Sequence, residues 1–215
     1  MRRWVAPLFA LWLLLPALVF PQSSMAAPLQ EAVFAGGCFW CLEHDLESLP
    51  GVVSVESGYS GGTVANPSYR QVSAGGTGHQ ESVLVRFDPD RISYSRLLEA
   101  YWRDVDPLDG GGQFCDRGDS YRAVIFTRGA TQAAQARASA EAKARQLKLS
   151  RSSLAVQIKP LERFWVAEGY HQNYAQRNKV RYSYYRWACG RDQRLRQVWG
   201  TSLSDFPLDP PEFPA

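Results

Sequence analysis

The chain has 215 residues, 45% of them hydrophobic and 21% charged, which suits one globular domain with a sizeable core. Its 24 basic and 21 acidic residues leave a net charge of only +3 with no long basic run, so nucleic acid is not an implied partner. Cys115 and Cys189 are solitary, and His44, His79 and His171 form no closely spaced pair, so a structural zinc site is disfavoured and no metal is expected.

The chain opens with Met1-Arg2-Arg3, an apolar run from Trp4 to Phe20 and the small-x-small pattern Ser24-Met25-Ala26. This pattern reads as a secretory signal peptide over residues 1–26, which implies export across the inner membrane to a periplasmic location. The alternative is an uncleaved membrane anchor, but Pro7, Pro16 and the cleavage-like site favour removal. Outside the cytoplasm disulfides are favoured, so a thiol enzyme there needs a supply of reductant.

Residues 27–200 form the expected folded domain. Ala32 to Ala35 predicts a strand, and Gly36-Gly37 a sharp turn into a helix from Cys38 to Leu49 that Pro50-Gly51 stops. Cys38 then stands at a helix N-terminus, where free backbone N–H groups and the helix dipole favour the nucleophilic thiolate. Cys41 lies one turn on, close enough for a disulfide. Two plainer readings stay open: the two cysteines as half of a zinc site, and Phe39 and Trp40 as ordinary core residues.

Val52 to Tyr59 predicts a strand and residues 63–78 an irregular, functional loop. Glu81 to Phe87 alternates as a strand, and Ser93 to Val105 has helical periodicity. A second irregular stretch, Asp106 to Ser120, precedes a strand over Tyr121 to Thr127. Thr131 is the expected cap of an alanine-rich helix to Leu147, followed by a strand over Leu154 to Pro160 and a helix over Ala167 to Lys179. The order predicts an α+β fold, a ferredoxin-like two-layer sandwich with a mixed or antiparallel sheet and long functional loops. Residues 201–215, rich in proline, are expected to be a flexible tail.

Chemistry gathers in the irregular stretches. Alternation from His79 puts Glu81 on the face of Val83, Val85 and Phe87, where apolar surroundings keep a carboxyl protonated and able to act as a general acid. An exposed carboxylate at the strand's start is the plain alternative. Tyr69, Asp116 and Tyr121 add two phenols and a second carboxylate, which with Cys38 and its aromatics could line a pocket.

The ordered set Gly37-Cys38-Phe39-Trp40, Gly58-Tyr59-Ser60-Gly61-Gly62, Asn66-Pro67-Ser68-Tyr69-Arg70, Gly78-His79-Gln80-Glu81, Asp116-Arg117-Gly118 with Tyr121-Arg122, and His171-Gln172-Asn173-Tyr174 resembles the peptide methionine sulfoxide reductases of the A type. The resemblance runs from Val33 to Trp199. It implies reduction of methionine-S-sulfoxide, free or in proteins, with Cys38 as nucleophile, Glu81 as acid, Tyr69 and Tyr121 on the sulfoxide oxygen, and Asp116 orienting the site. Phe39 and Trp40 would hold the methyl group. No organic cofactor or metal is implied, only an external dithiol such as thioredoxin or a thioredoxin-like protein, and a monomer is expected.

The sulfenic acid left on Cys38 must be resolved by a second cysteine. Cys189 ranks first, in a segment expected to be a mobile tail; Cys41 follows closely, and Cys115 is third. Familiar members carry glycine where Cys41 stands and asparagine where Cys115 stands. Two other functions remain as contrasts: a thiol–disulfide oxidoreductase using Cys38 and Cys41, and a metal-binding module using Cys38, Cys41, Cys115 and a histidine.

Overall fold

The structure, a computed structural model, describes residues 27–200; the expected signal segment and the proline-rich tail lie outside the described residues. Strand β1 (Gln30–Ala35) leads through Gly36-Gly37 into helix α1 (Phe39–Glu47), and β2 (Val52–Ser60) follows. Helix α2 (Tyr69–Ser73), β3 (Gln80–Phe87) and α3 (Tyr94–Arg103) come next. The short strands β4 (Gly112–Gln113) and β5 (Asp116–Arg117) pair with each other and precede β6 (Val124–Thr127), α4 (Gly129–Gln146), β7 (Gln157–Pro160) and β8 (Phe164–Val166). Three helices end the described chain: α5 (Tyr174–Arg177), α6 (Lys179–Ala188) and α7 (Arg191–Trp199).

The main sheet has the order β7-β6-β1-β3-β2-β8. Only the β6–β7 pair is parallel, so the sheet is mixed and the fold is α+β. Strand alternation divides β3 as its sequence predicts: Val83, Val85 and Phe87 join the large core under the helices, whereas Leu84 joins a smaller cluster on the other face with Val33 and Phe126. Ser93 caps α3 by accepting from the Arg96 N–H, and Leu97, Leu98, Tyr101 and Trp102 point inward at helical spacing. Tyr101 stacks on Phe34 and donates its hydroxyl to the Ala35 carbonyl at 2.9 Å, which pins the end of β1 just before the turn to α1.

Several local expectations change. The alanine-rich helix starts at Gly129 with Arg128 as its cap, and Thr131 lies inside the first turn. Tyr121, the expected first residue of a strand, instead ends a 3-10 turn over Asp119–Tyr121, and the strand begins at Val124. Residues 167–172 are not helical: the Gln172 amide bonds the Ser57 N–H and carbonyl as a substitute strand partner, and Asn173 adopts a left-handed conformation (φ 52°). The segment carrying Cys189 is not a loose tail either. Cys189 caps α6, and α7 continues to Trp199, anchored by the buried Arg191, Leu195 and Trp199. The apolar residues Val180, Tyr184 and Trp187 of α6 point outward, which obscures its helical pattern.

Candidate active site

Gly37 has φ +82°, and a Cβ there would lie 2.7 Å from the Gln113 Cβ, so only glycine lets the chain turn here against the β4–β5 hairpin. The turn delivers Cys38 to the N-cap of α1. The free N–H groups of this helix end are directed at two carboxyl groups. Phe39 N–H donates to Glu81 Oε2 at 3.1 Å, and the Cys38 N–H interacts with the Asp116 carboxylate.

This arrangement reverses the expected charge of Cys38. Burial pushes its thiol well above the usual range, and Cys41, Glu81 and Asp116 push it the same way. Carboxyl groups occupy the positive helix end that would otherwise favour the thiolate. Cys41 moves in the opposite direction because the Cys38 thiol donates to its sulfur, and Arg191 and Arg186 add to the effect against the cost of burial.

Glu81 is 3% exposed, and burial raises its pKa to about 8, so it keeps its proton at neutral pH. Asp116 is also raised by burial, but Tyr185, Arg191 and the Cys38 N–H hold it down. The Tyr185 hydroxyl donates to Asp116 Oδ2 at 2.5 Å. Tyr69 and Tyr121 come from α2 and the 3-10 turn, and their hydroxyls interact; burial and the nearby Glu81 keep both phenols protonated.

Trp40 forms the other wall. Its indole stacks on Tyr174 (3.6 Å between centroids, 6° between planes), meets Tyr185 edge-on and donates Nε1–H to His171 Nδ1 at 3.1 Å. Burial lowers the His171 pKa, which favours a neutral ring with its proton on Nε2. Glu168 ties this loop to the other wall, accepting from the Tyr59 hydroxyl at 2.9 Å and the Tyr69 N–H at 2.8 Å. His79 stands behind the cleft, where its ring bonds the Gly62 N–H and the Val64 carbonyl and holds the loop before β3.

Cys38, Phe39, Trp40, Tyr69, Glu81, Asp116, Tyr121 and Tyr185 together line a cleft of about 90 Å³. A larger cavity of about 550 Å³ lies against α6 and α7, beside His44, Tyr182 and Arg186, but no cysteine lines it. The small cleft therefore carries the chemistry. Cys115 and Cys189 form a disulfide, while Cys38 and Cys41 are free and buried. Among the described residues, the His, Cys, Asp and Glu side chains close enough to share a metal ion are Cys115, Asp116 and Cys189, and two of these sulfurs are bonded to each other. The alternative ligand set of Cys38, Cys41, Cys115 and a histidine is not assembled.

Comparison with known proteins agrees with this chemistry. The model of the family described as peptide methionine sulfoxide reductase matches residues 30–203. The chain belongs to that family. It is a peptide-methionine (S)-S-oxide reductase, which reduces methionine-S-sulfoxide with thiols as the reductant. The reductase is 50% identical over 201 residues to peptide methionine sulfoxide reductase MsrA 2 of Caulobacter vibrioides, covering 93% of this chain and 100% of that one. It is 46% identical over 212 residues to the MsrA/MsrB protein of Vibrio cholerae, covering 95% of this chain and only 56% of that longer one. Among solved structures, methionine sulfoxide reductase A of Corynebacterium diphtheriae superposes with a TM-score of 0.67 at 32% identity, over 71% of this chain and 76% of the other. Mxr1 of Saccharomyces cerevisiae in its reduced form gives 0.66 at 26% identity, over 74% and 91%.

The structure thus gathers all seven residues that the sequence nominates for catalysis and substrate binding around one cleft. Of the three resolving candidates, Cys41 lies beside Cys38, and Cys115 and Cys189 are joined to each other. Tyr185 and the supporting Glu168 are the additions, and His171, which stands in the motif set without a role, takes the Trp40 indole N–H. The spacing of Tyr185 to Cys189, one helical turn, is the only signal in the sequence that places it near the redox centre.

Proposed function

We propose that the Cys38 sulfur attacks the sulfur of a bound methionine-S-sulfoxide while Glu81 gives its proton to the sulfoxide oxygen, and that the proton lost from the Cys38 thiol restores the Glu81 acid. The oxygen passes to the cysteine, leaving methionine and a Cys38 sulfenic acid. The observation that carries this reading is the buried, protonated Glu81 on the backbone N–H next to the free Cys38. Phe39 and Trp40 hold the methyl group by apolar and sulfur–aromatic contact. Tyr69 and Tyr121 donate hydrogen bonds to the oxygen, and Asp116, held by Tyr185, orients the helix end.

The product requires a second thiol and then an external dithiol, for which thioredoxin or a thioredoxin-like protein has the right chemistry. Oxidised proteins and free methionine sulfoxide are the proposed substrates, and repair of oxidised proteins is the proposed role. Action as a monomer is part of this reading. Export to the periplasm is supported by the signal-like start. A ferredoxin-like classification of the core is supported by the order β6-β1-β3-β2 of its β-α-β-β-α-β strands.

The test is an epimer-resolved assay with dithiothreitol as reductant. The wild type should consume the S epimer and leave the R epimer, and Cys38→Ser should lose this turnover. Substantial activity in the variant would remove Cys38 as the nucleophile.

A further inference from the structure

We propose that the four cysteines work as two pairs. Cys41 takes the oxidised Cys38 into an inner disulfide, and the Cys115/Cys189 pair carries electrons from an external dithiol at the surface to that inner disulfide. The proposal rests on the reading of Cys38 as the nucleophile.

The inner pair is built for this step. Cys38 and Cys41 share the first turn of α1, joined by the hydrogen bond from Cys41 N–H to the Cys38 carbonyl at 3.1 Å, and the Cys38 thiol donates to the Cys41 sulfur. Positions three apart on a helix have Cα atoms about 5 Å apart, within the range a disulfide spans. Both sulfurs pack in one cluster with Ala175 and Tyr182, and the guanidinium groups of Arg191 and Arg186 favour a thiolate on Cys41. The attacking sulfur therefore already lies within hydrogen-bond reach of the atom that becomes the sulfenic sulfur.

The inner pair is also sealed. Cys38 is 6% exposed and Cys41 1%, so a protein dithiol has no direct access to a bond between them. Cys115 is exposed and Cys189 partly so, which puts the second disulfide where such a donor can reach it. The two centres are neighbours through the cleft wall. Asp116, next to Cys115, interacts with the Cys38 N–H and accepts from Tyr185, one helical turn before Cys189.

The steps balance. The Cys41 thiolate attacks the Cys38 sulfenic sulfur; an S–S bond forms, the S–O bond breaks, and the hydroxyl leaves as water with a proton from the site. A thiolate of the reduced outer pair then attacks the inner disulfide, and its partner closes the Cys115–Cys189 bond. This returns Cys38 and Cys41 as thiols. An external dithiol reduces the outer disulfide by the same two-electron exchange.

The test uses fully reduced protein, excess methionine-S-sulfoxide and no reductant, with an alkylating quench and disulfide mapping. The wild type should form two methionines per chain, and a quench after one equivalent should show Cys38–Cys41 or its exchange product Cys115–Cys189. The double variant Cys115→Ser/Cys189→Ser should form one methionine, carry the Cys38–Cys41 link, give no dimedone adduct on Cys38, and lose at least tenfold in thioredoxin-driven turnover. A dimedone adduct on Cys38 in that variant, undiminished thioredoxin-driven turnover, or Cys38–Cys189 as the first link in the wild type overturns the proposal. Absence of methionine from both proteins overturns the reductase mechanism itself; methionine with a different link overturns only the pairing.

Discussion

Glu81→Gln removes one proton donor and changes little else, because the amide oxygen of Gln can still accept from the Phe39 N–H that now bonds Glu81 Oε2 at 3.1 Å. Burial holds the native carboxyl at about 8, so roughly nine-tenths of the protein carries the proton at pH 7. A positioned general acid contributes about 10²–10⁴ in rate, or about 3–5 kcal/mol of barrier. Single-turnover formation of methionine, followed by rapid quench, should therefore slow by that factor at neutral pH in the variant. The wild-type rate should also fall as pH rises through about 8, and this descending limb should vanish in the variant. The same carboxyl links pH to stability. The folded protein keeps the Glu81 proton between its ordinary value of 4.5 and about 8, where the unfolded chain has released it. The contribution of this group to stability is therefore complete below about 4.5 and is lost as pH rises through about 8, a change of roughly 5 kcal/mol. Thermal unfolding of the wild type and Glu81→Gln should diverge across this window. A variant within about threefold of the wild-type rate at pH 7, or two stability curves that run parallel, would refute the buried-acid argument.

Tyr185→Phe deletes the donor to Asp116, a charge-assisted bond of about 1.5–3 kcal/mol, and should lower kcat/KM by about 10–100-fold in steady-state assays; unchanged kinetics would reduce Tyr185 to a wall. Arg191→Met leaves Asp104 buried without its partner at 3.0 Å and should destabilise the fold by about 3–5 kcal/mol in urea unfolding. A Cβ at Gly62 would lie 2.4 Å from the His79 nitrogen and the Thr77 carbonyl, so Gly62→Ala should lose about 1–3 kcal/mol, read as a lowered Tm.

What the sequence determined by itself is local. A glycine turn, a helix start and a two-residue strand period depend only on neighbouring residues, and they put Cys38 at a helix end and Glu81 on the core side of its strand. The family motifs nominated Tyr69, Asp116, Tyr121, Phe39 and Trp40, and all of them line the cleft. Packing between distant segments decided the rest. Cys115 and Cys189 lie 74 residues apart, and their bond exists because α6 folds back on the β4–β5 hairpin. The protonation of Cys38 shows the same division. Its place at a helix N-terminus, read alone, favours a thiolate, but burial beneath segments distant in the chain reverses the outcome, and Cys41, Glu81 and Asp116 push the same way. Charge state depends on which groups are brought within a few ångströms and how far water is excluded. Both are properties of tertiary structure that the linear order of residues does not state.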